Sequence, residues 1–251
     1  MISEISVAGE TREYLRGLAQ YLGGRRLALV LVSTAFAAQL HAADPVFNEA
    51  AGQGLVPAAP VDSAAPIDQV YLPSDYEEQR QRILQGSEEV DFTALRLGFL
   101  QTPKYASNSR KSMKLNRALF RAMDQNLFSD CENLAQQALA LDYTSIQSHY
   151  GAMVCAFQLG DDERGQYHQW IVRGLVESLQ ASGSGFDPNR PYQAINANEV
   201  DGFLRLMGYE VKQRVSTQKD GKPLQVVTVK EVQAVKTQQL FFDTSLYEEG
   251  E

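Results

Sequence analysis

Several residue types are scarce in this chain of 251 residues: it has two cysteines, three histidines and one tryptophan. Two cysteines exclude a disulfide-dense mini-protein and a four-cysteine zinc site. His149 and His168 have no His or Cys partner four residues away, so the sequence offers no ligand set for a metal. It shows no cofactor motif either. Basic residues are also short, 23 against 31 acidic ones, for a formal charge of −8. A general nucleic-acid binder gains its affinity by neutralising phosphates, and this balance argues against one. The apolar run that stands out, Leu27 to Leu40, has 14 residues, whereas a bilayer core needs roughly 20. Together with a mean hydropathy of −0.30, this argues against a polytopic membrane protein. What remains is an ordinary globular composition, 44% hydrophobic, 9% aromatic and 22% charged, long enough for one or two domains.

The apolar run follows Arg25-Arg26 and ends in small residues around Ala42. A positive n-region, a short apolar h-region and a small-residue end read as a secretory signal peptide, with an uncleaved anchor or a buried core helix as the alternatives. The expected leader is 1–42, with an over-extended N-terminus, because Met1 lies far upstream of the charged pair. No cysteine follows the run, which excludes lipid attachment there. Cleavage would remove four basic residues (Arg12, Arg16, Arg25, Arg26) and three acidic ones (Glu4, Glu10, Glu13), leaving 19 and 28 and a net charge of −9. The expected location is periplasmic or secreted, with no integral membrane domain left after cleavage.

Residues 43–74 form an Ala/Pro-rich linker, with Pro45, Pro57, Pro60, Pro66 and Pro73 among few large apolar residues. A single folded domain is expected over 75–251, helical over 75–208 and β over 209–244. The fold class is α+β, mainly α. Asp75 onward reads as a helix with Ser74 as its cap. Asp91 to Leu100 reads as a second, closed by Pro103, and Lys104 to Ser112 as polar turn. The clearest pattern spans 112–179. Asn126 and Gly160 occupy equivalent inter-helix turns, and the same offset of 34 aligns Ala118 with Ala152, Leu119 with Met153, Ala122 with Ala156 and Leu141 with Leu175. Two helices per 34 residues is tetratricopeptide-repeat spacing. Further on, Asn198 reads as the cap of a short helix that ends at Gly208. Tyr209 to Thr217 alternates as a strand, and Lys219-Asp220-Gly221-Lys222 is a hairpin turn. Leu224 to Val229, Val232 to Val235 and Leu240 to Asp243 complete a small antiparallel sheet.

The order of segments resembles a bacterial domain of unknown function (family 4919), whose members are predominantly exported. The resemblance is carried by Asp91-Phe92-x-Ala94-Leu95-Arg96 and Thr102-Pro103-x-Tyr105, then by the repeat pair with its long helix Trp170 to Leu179. The turn Ser182 to Gly185, Tyr192-Gln193-Ala194-Ile195, the helix Asn198 to Tyr209 and Leu240-Phe241-Phe242-Asp243 follow. It covers roughly Asp91 to Thr244. It implies fold and export, and brings no activity with it.

The candidate chemistry is thin. Cys131 and Cys155 sit at one level of two adjacent antiparallel helices. They are either a disulfide, favoured by an oxidising compartment, or two small buried thiols. Ser182, Gly183, Ser184 and Gly185 form a candidate binding loop, although they lack the flanks of a nucleophile elbow or phosphate loop. Asp161-Asp162-Glu163 stands where acids complement a helix dipole. Trp170, Tyr167, Tyr150 and Phe157 read as core, and so does His149. No catalytic residue is assigned. The expected function is a non-enzymatic protein- or peptide-interaction module. The alternatives are an envelope hydrolase using the Ser182–Gly185 loop and a structural part of an envelope or secretion assembly.

Overall fold

The turns between paired helices carry the period of 34. In the computed structural model, which describes residues 70–231 and 236–247, helix α3 (Pro103–Asp124) pairs with α4 (Phe128–Leu141), and α5 (Ile146–Gln158) with α6 (Asp162–Ala181). Asn126 and Gly160 stand in the two turns with φ of 57° and 80°. At the first turn Leu127 N–H donates to the Ala122 carbonyl and Asn126 N–H to that of Met123. At the second, Asp161 N–H donates to Ala156 and Gly160 N–H to Phe157. Every one of these positions is displaced by 34, so both turns satisfy the orphaned helix-end carbonyls in the same way. Helix α1 (Pro73–Leu84) ends alike, at Gly86 with φ 74°, before α2 (Phe92–Leu100).

Some boundaries differ from expectation, and each difference has a local cause. Helix α1 begins at Pro73 rather than Asp75. Proline suits the first helical position, where no N–H is needed, and the Asp75 carboxylate accepts from Leu72 N–H at 2.6 Å. Ser74 therefore lies inside the helix and does not cap it. The stretch Lys104–Ser112 is helix, not turn. Pro103, read as the stop of α2, is also the start of α3, and only Gln101 and Thr102 separate the two. Tyr105 fastens this first turn, with its hydroxyl on the Ile195 carbonyl and its ring 5.7 Å from that of Phe99. The short helix α7 (Ala197–Leu206) is capped by Asn196, not Asn198: the Asn196 side chain accepts from Glu199 N–H at 2.8 Å.

The C-terminal sheet has four strands in the order β1-β4-β3-β2, with β1 (Tyr192–Gln193), β2 (Tyr209–Lys219), β3 (Lys222–Glu231) and β4 (Thr237–Asp243). It is mostly antiparallel. The exception is β1, which runs parallel to β4, and lies inside a region read as helical. The β2–β3 turn has Asp220 and Gly221 at φ 52° and 78°, the paired positive φ of a tight hairpin. The expected leader over 1–42, nearly all of the linker over 43–74 and the strand over 232–235 lie outside the described residues.

Helices and sheet bury separate but adjoining apolar sets. Leu95, Phe99, Leu119, Ile146, Ile171 and Leu175 centre the helical core. Period-two side chains on the inner face of the sheet, Val227, Val229, Leu240 and Phe242, pack with Tyr192, Val200, Phe203 and Leu179. Val176 touches both sets. Cys131 at the start of α4 and Cys155 near the end of α5 are joined in a disulfide, with Cα atoms 6.3 Å apart. Both residues have no solvent exposure. No helix among the described residues is long and apolar enough to cross a membrane.

Candidate functional site

A groove of about 570 Å³ runs between the start of α2 and the outer face of α6. Its floor follows from one residue choice. Gly174 has no side chain, and a Cβ there would stand 2.2 Å from the Phe92 ring. Phe92 therefore lies directly on the α6 backbone. One turn earlier on α6, Trp170 meets it edge-on, with centroids 5.4 Å apart and planes at 71°, a favoured aromatic geometry. The inner wall is the hydrogen bond between Thr93 Oγ1 and Ser178 Oγ, 2.9 Å long. The outer rim carries the carboxylates of Glu88, Asp91 and Glu177, together with Arg173.

The rim is held in place. Asp91 caps α2, its Oδ1 accepting from the N–H groups of Thr93 and Ala94 at 2.9 Å each. Asp91 N–H in turn donates to Gln79 Oε1 at 2.9 Å, and Arg82 Nη1 reaches the Glu89 carbonyl at 3.4 Å, so α1 anchors the loop. Arg173 differs. Its Nε is shielded from solvent yet has no hydrogen-bond partner among the described residues.

Behind the inner wall lies a buried ion pair that fixes the spacing of α2 and α6. Arg96 and Glu199 are 1% and 3% exposed. The guanidinium donates from Nε to Glu199 Oε1 at 2.6 Å and from Nη2 to Oε2 at 3.0 Å. Nη1 donates to Ser178 Oγ and Nη2 to the Gln193 carbonyl, both at 2.9 Å. Glu199 Oε2 also accepts from Ile195 N–H at 2.9 Å. One fully partnered pair thus ties α2, α6, β1 and α7 together, which is the condition under which buried charge is tolerated. The sequence carried Arg96 and Glu199 only as parts of motifs. Their separation of 103 residues left no local signal. Trp170 read as core; it is half-buried, packing on the core while lining the groove. The detectable signal was Gly174 in mid-helix, one turn from that tryptophan.

A second polar cluster sits at the α4–α5 turn. His149, with no exposure, places Nε2 3.0 Å from the Tyr143 carbonyl and Nδ1 2.9 Å from His168 Nδ1. The carbonyl can only accept, so His149 carries its proton on Nε2 and His168 donates from Nδ1. Burial, and then its His168 neighbour, holds the His149 pKa well below the ordinary value. Burial and the nearby Arg164 lower His168 to about 4. Asp142, buried just before Tyr143, is pushed up to about 6 by desolvation, against two hydrogen bonds from Thr144. Tyr143 and Tyr167 share a hydroxyl hydrogen bond of 2.6 Å. Among the described residues no group of three His, Cys, Asp or Glu side chains converges on a metal position.

The Ser182–Gly185 loop connects α6 to the sheet and spends its polar groups internally. Ser182 Oγ donates to the Leu179 carbonyl at 2.6 Å and accepts from Gln193 N–H at 2.8 Å. Ser184 Oγ donates to the Arg190 carbonyl at 3.3 Å. A Cβ on Gly183 would meet the Pro191 carbonyl oxygen at 2.1 Å, and one on Gly185 the Tyr192 ring at 2.0 Å. Gly185 also has φ 68°, and its carbonyl accepts from Phe241 N–H at 2.8 Å. The groove stops at Ala181, one residue short of this loop. Of the acidic trio, Asp161 caps α6 by accepting from Arg164 N–H at 3.0 Å.

The chain is therefore mainly helical, with paired helices followed by a small, mostly antiparallel sheet. No family model, curated protein or solved structure matches it.

Proposed function

We propose that this chain is an exported interaction module, periplasmic or secreted, that docks a protein or peptide segment in the groove between α2 and α6. The groove carries the reading: an aromatic floor on a glycine, a rim of charge and a fixed inner wall make a preformed surface on rigid elements. Paired helices in tandem commonly present such surfaces. Export is supported by the Arg25-Arg26 leader pattern and by the disulfide, which is consistent with an oxidising compartment.

The test is site-specific cross-linking. p-Benzoylphenylalanine would replace the exposed Ala181 at the end of the groove in one preparation and the exposed Asn133 on α4 in another. Irradiation in an envelope extract should give a discrete adduct from position 181 that excess unlabelled chain suppresses, and none from 133. The same adducts from both positions, or none from either, would overturn the groove as the docking site.

A further inference from the structure

We infer that the segment docked in this groove is basic: an extended piece of a partner protein that lays a Lys or Arg side chain across Phe92 and Trp170, with its cation among Glu88, Asp91 and Glu177. This rests on the groove being the docking site and names the chemistry of its occupant. The charge of the groove is the first ground. Three carboxylates face one guanidinium there, and neither Glu88 nor Glu177 is in an ion pair among the described residues. An acidic segment would meet like charge on three sides. A basic one gains Coulomb attraction at the rim, and the acidic balance of the chain, −9 after loss of the leader, favours its approach.

The floor is the second ground. Phe92 and Trp170 form an apolar base the width of two rings, suited to the methylene stem of a long cationic side chain, and Trp is the strongest aromatic partner for a cation. Arg173 is the third. It is the one cation among the lining residues; its guanidinium has several donors, and a peptide carbonyl is a neutral acceptor that adds no charge to an acidic rim. A small organic cation has no such carbonyl, so this donor selects for a peptide.

Trp170 is the only tryptophan in the chain, which makes its fluorescence a direct readout. Blocked heptapeptides of alanine with a central Arg, Gln or Glu would be titrated into the full chain, with choline chloride in a parallel series. The Arg peptide should shift Trp170 emission saturably and bind about tenfold more tightly than the Gln peptide, with the Glu peptide weakest. Added salt should erode the Arg preference. Glu88→Gln combined with Glu177→Gln, both exposed, should weaken the Arg peptide roughly fivefold and leave the Gln peptide within about twofold. Far-UV circular dichroism should stay unchanged. Equal or tighter binding of the Gln or Glu peptide would overturn the basic occupant while leaving the docking groove standing. Choline matching the Arg peptide would replace the peptide by a small cation. Silence of Trp170 toward every ligand would overturn both the occupant and the groove.

Discussion

Replacing Arg96 by methionine tests how the groove is held. The substitution keeps an unbranched stem and removes four hydrogen bonds, two to Glu199 and one each to Ser178 Oγ and the Gln193 carbonyl. It strands the Glu199 carboxylate, 3% exposed, with only Ile195 N–H among its remaining hydrogen bonds. Breaking a buried pair from one side costs about 3–5 kcal/mol. For a folded domain of this size that is a fall in Tm of roughly 6–20 °C. Glu199→Gln keeps an acceptor for Ile195 and should cost less, about 1–3 kcal/mol. Arg96→Met with Glu199→Met removes both charges, so it should be more stable than Arg96→Met alone, with a coupling of at least ~2 kcal/mol. Urea unfolding followed by far-UV circular dichroism measures these proteins together with the Glu199→Met single, which closes the cycle. An Arg96→Met cost below about 1 kcal/mol, or a double variant equal to the sum of the singles, would refute the claim that this pair sets the α2–α6 spacing.

Three further outcomes are expected. Acidification should destabilise the fold between about pH 6 and 4.5. The two histidines have folded pKa values below the ordinary 6.5, so their contribution is present above 6.5 and is lost as pH falls. Asp142, raised to about 6 from 3.8, acts oppositely, its contribution being lost as pH rises through 6. Two protons against one leave a net slope of about 1.4 kcal/mol per pH unit. His168→Gln should flatten it, and an unchanged slope in urea titrations across this range would contradict the assignment. Cys131→Ala with Cys155→Ala opens a cross-link spanning 24 residues and should cost roughly 3–4 kcal/mol; native protein should also resist alkylation until reduced. Gly185→Ala, facing the Tyr192 ring from a positive φ, should cost about 2 kcal/mol or more. Ser184→Ala should cost at most about 0.5 kcal/mol, and comparable losses for the two would show that the loop is not held by its glycine.

The part of the fold written in short-range chemistry was readable. Asn126 and Gly160 announced two equivalent turns because only a left-handed residue closes a helix that way, and Asp220-Gly221 announced the hairpin for the same reason. Lys104 to Ser112, a polar run after a proline, has the composition of a turn and is helix. It is the first half of a helix that runs on to Asp124, and Tyr105 in it reaches Ile195, 90 residues away. The strand Tyr192–Gln193 has no sequence signature because two residues carry no periodicity; their pairing with Phe242 and Asp243 defines them. The groove was hidden for a related reason. A tryptophan reads as core in sequence, but Trp170 is half-buried and lines the groove, beside Phe92 from a helix distant in sequence. Sequence spacing reports neighbours one turn away, whereas the site is made by elements that meet only after folding.

The central claim, that partners enter between α2 and α6, comes down to one resonance. With a single tryptophan in the chain, nitrogen-labelled protein shows one indole N–H signal, from Trp170. Adding the partner recovered by cross-linking should move that signal in step with binding, and Glu88→Gln with Glu177→Gln should weaken the response. Tight binding that leaves the Trp170 signal where it was would contradict the account and place the interaction on another face.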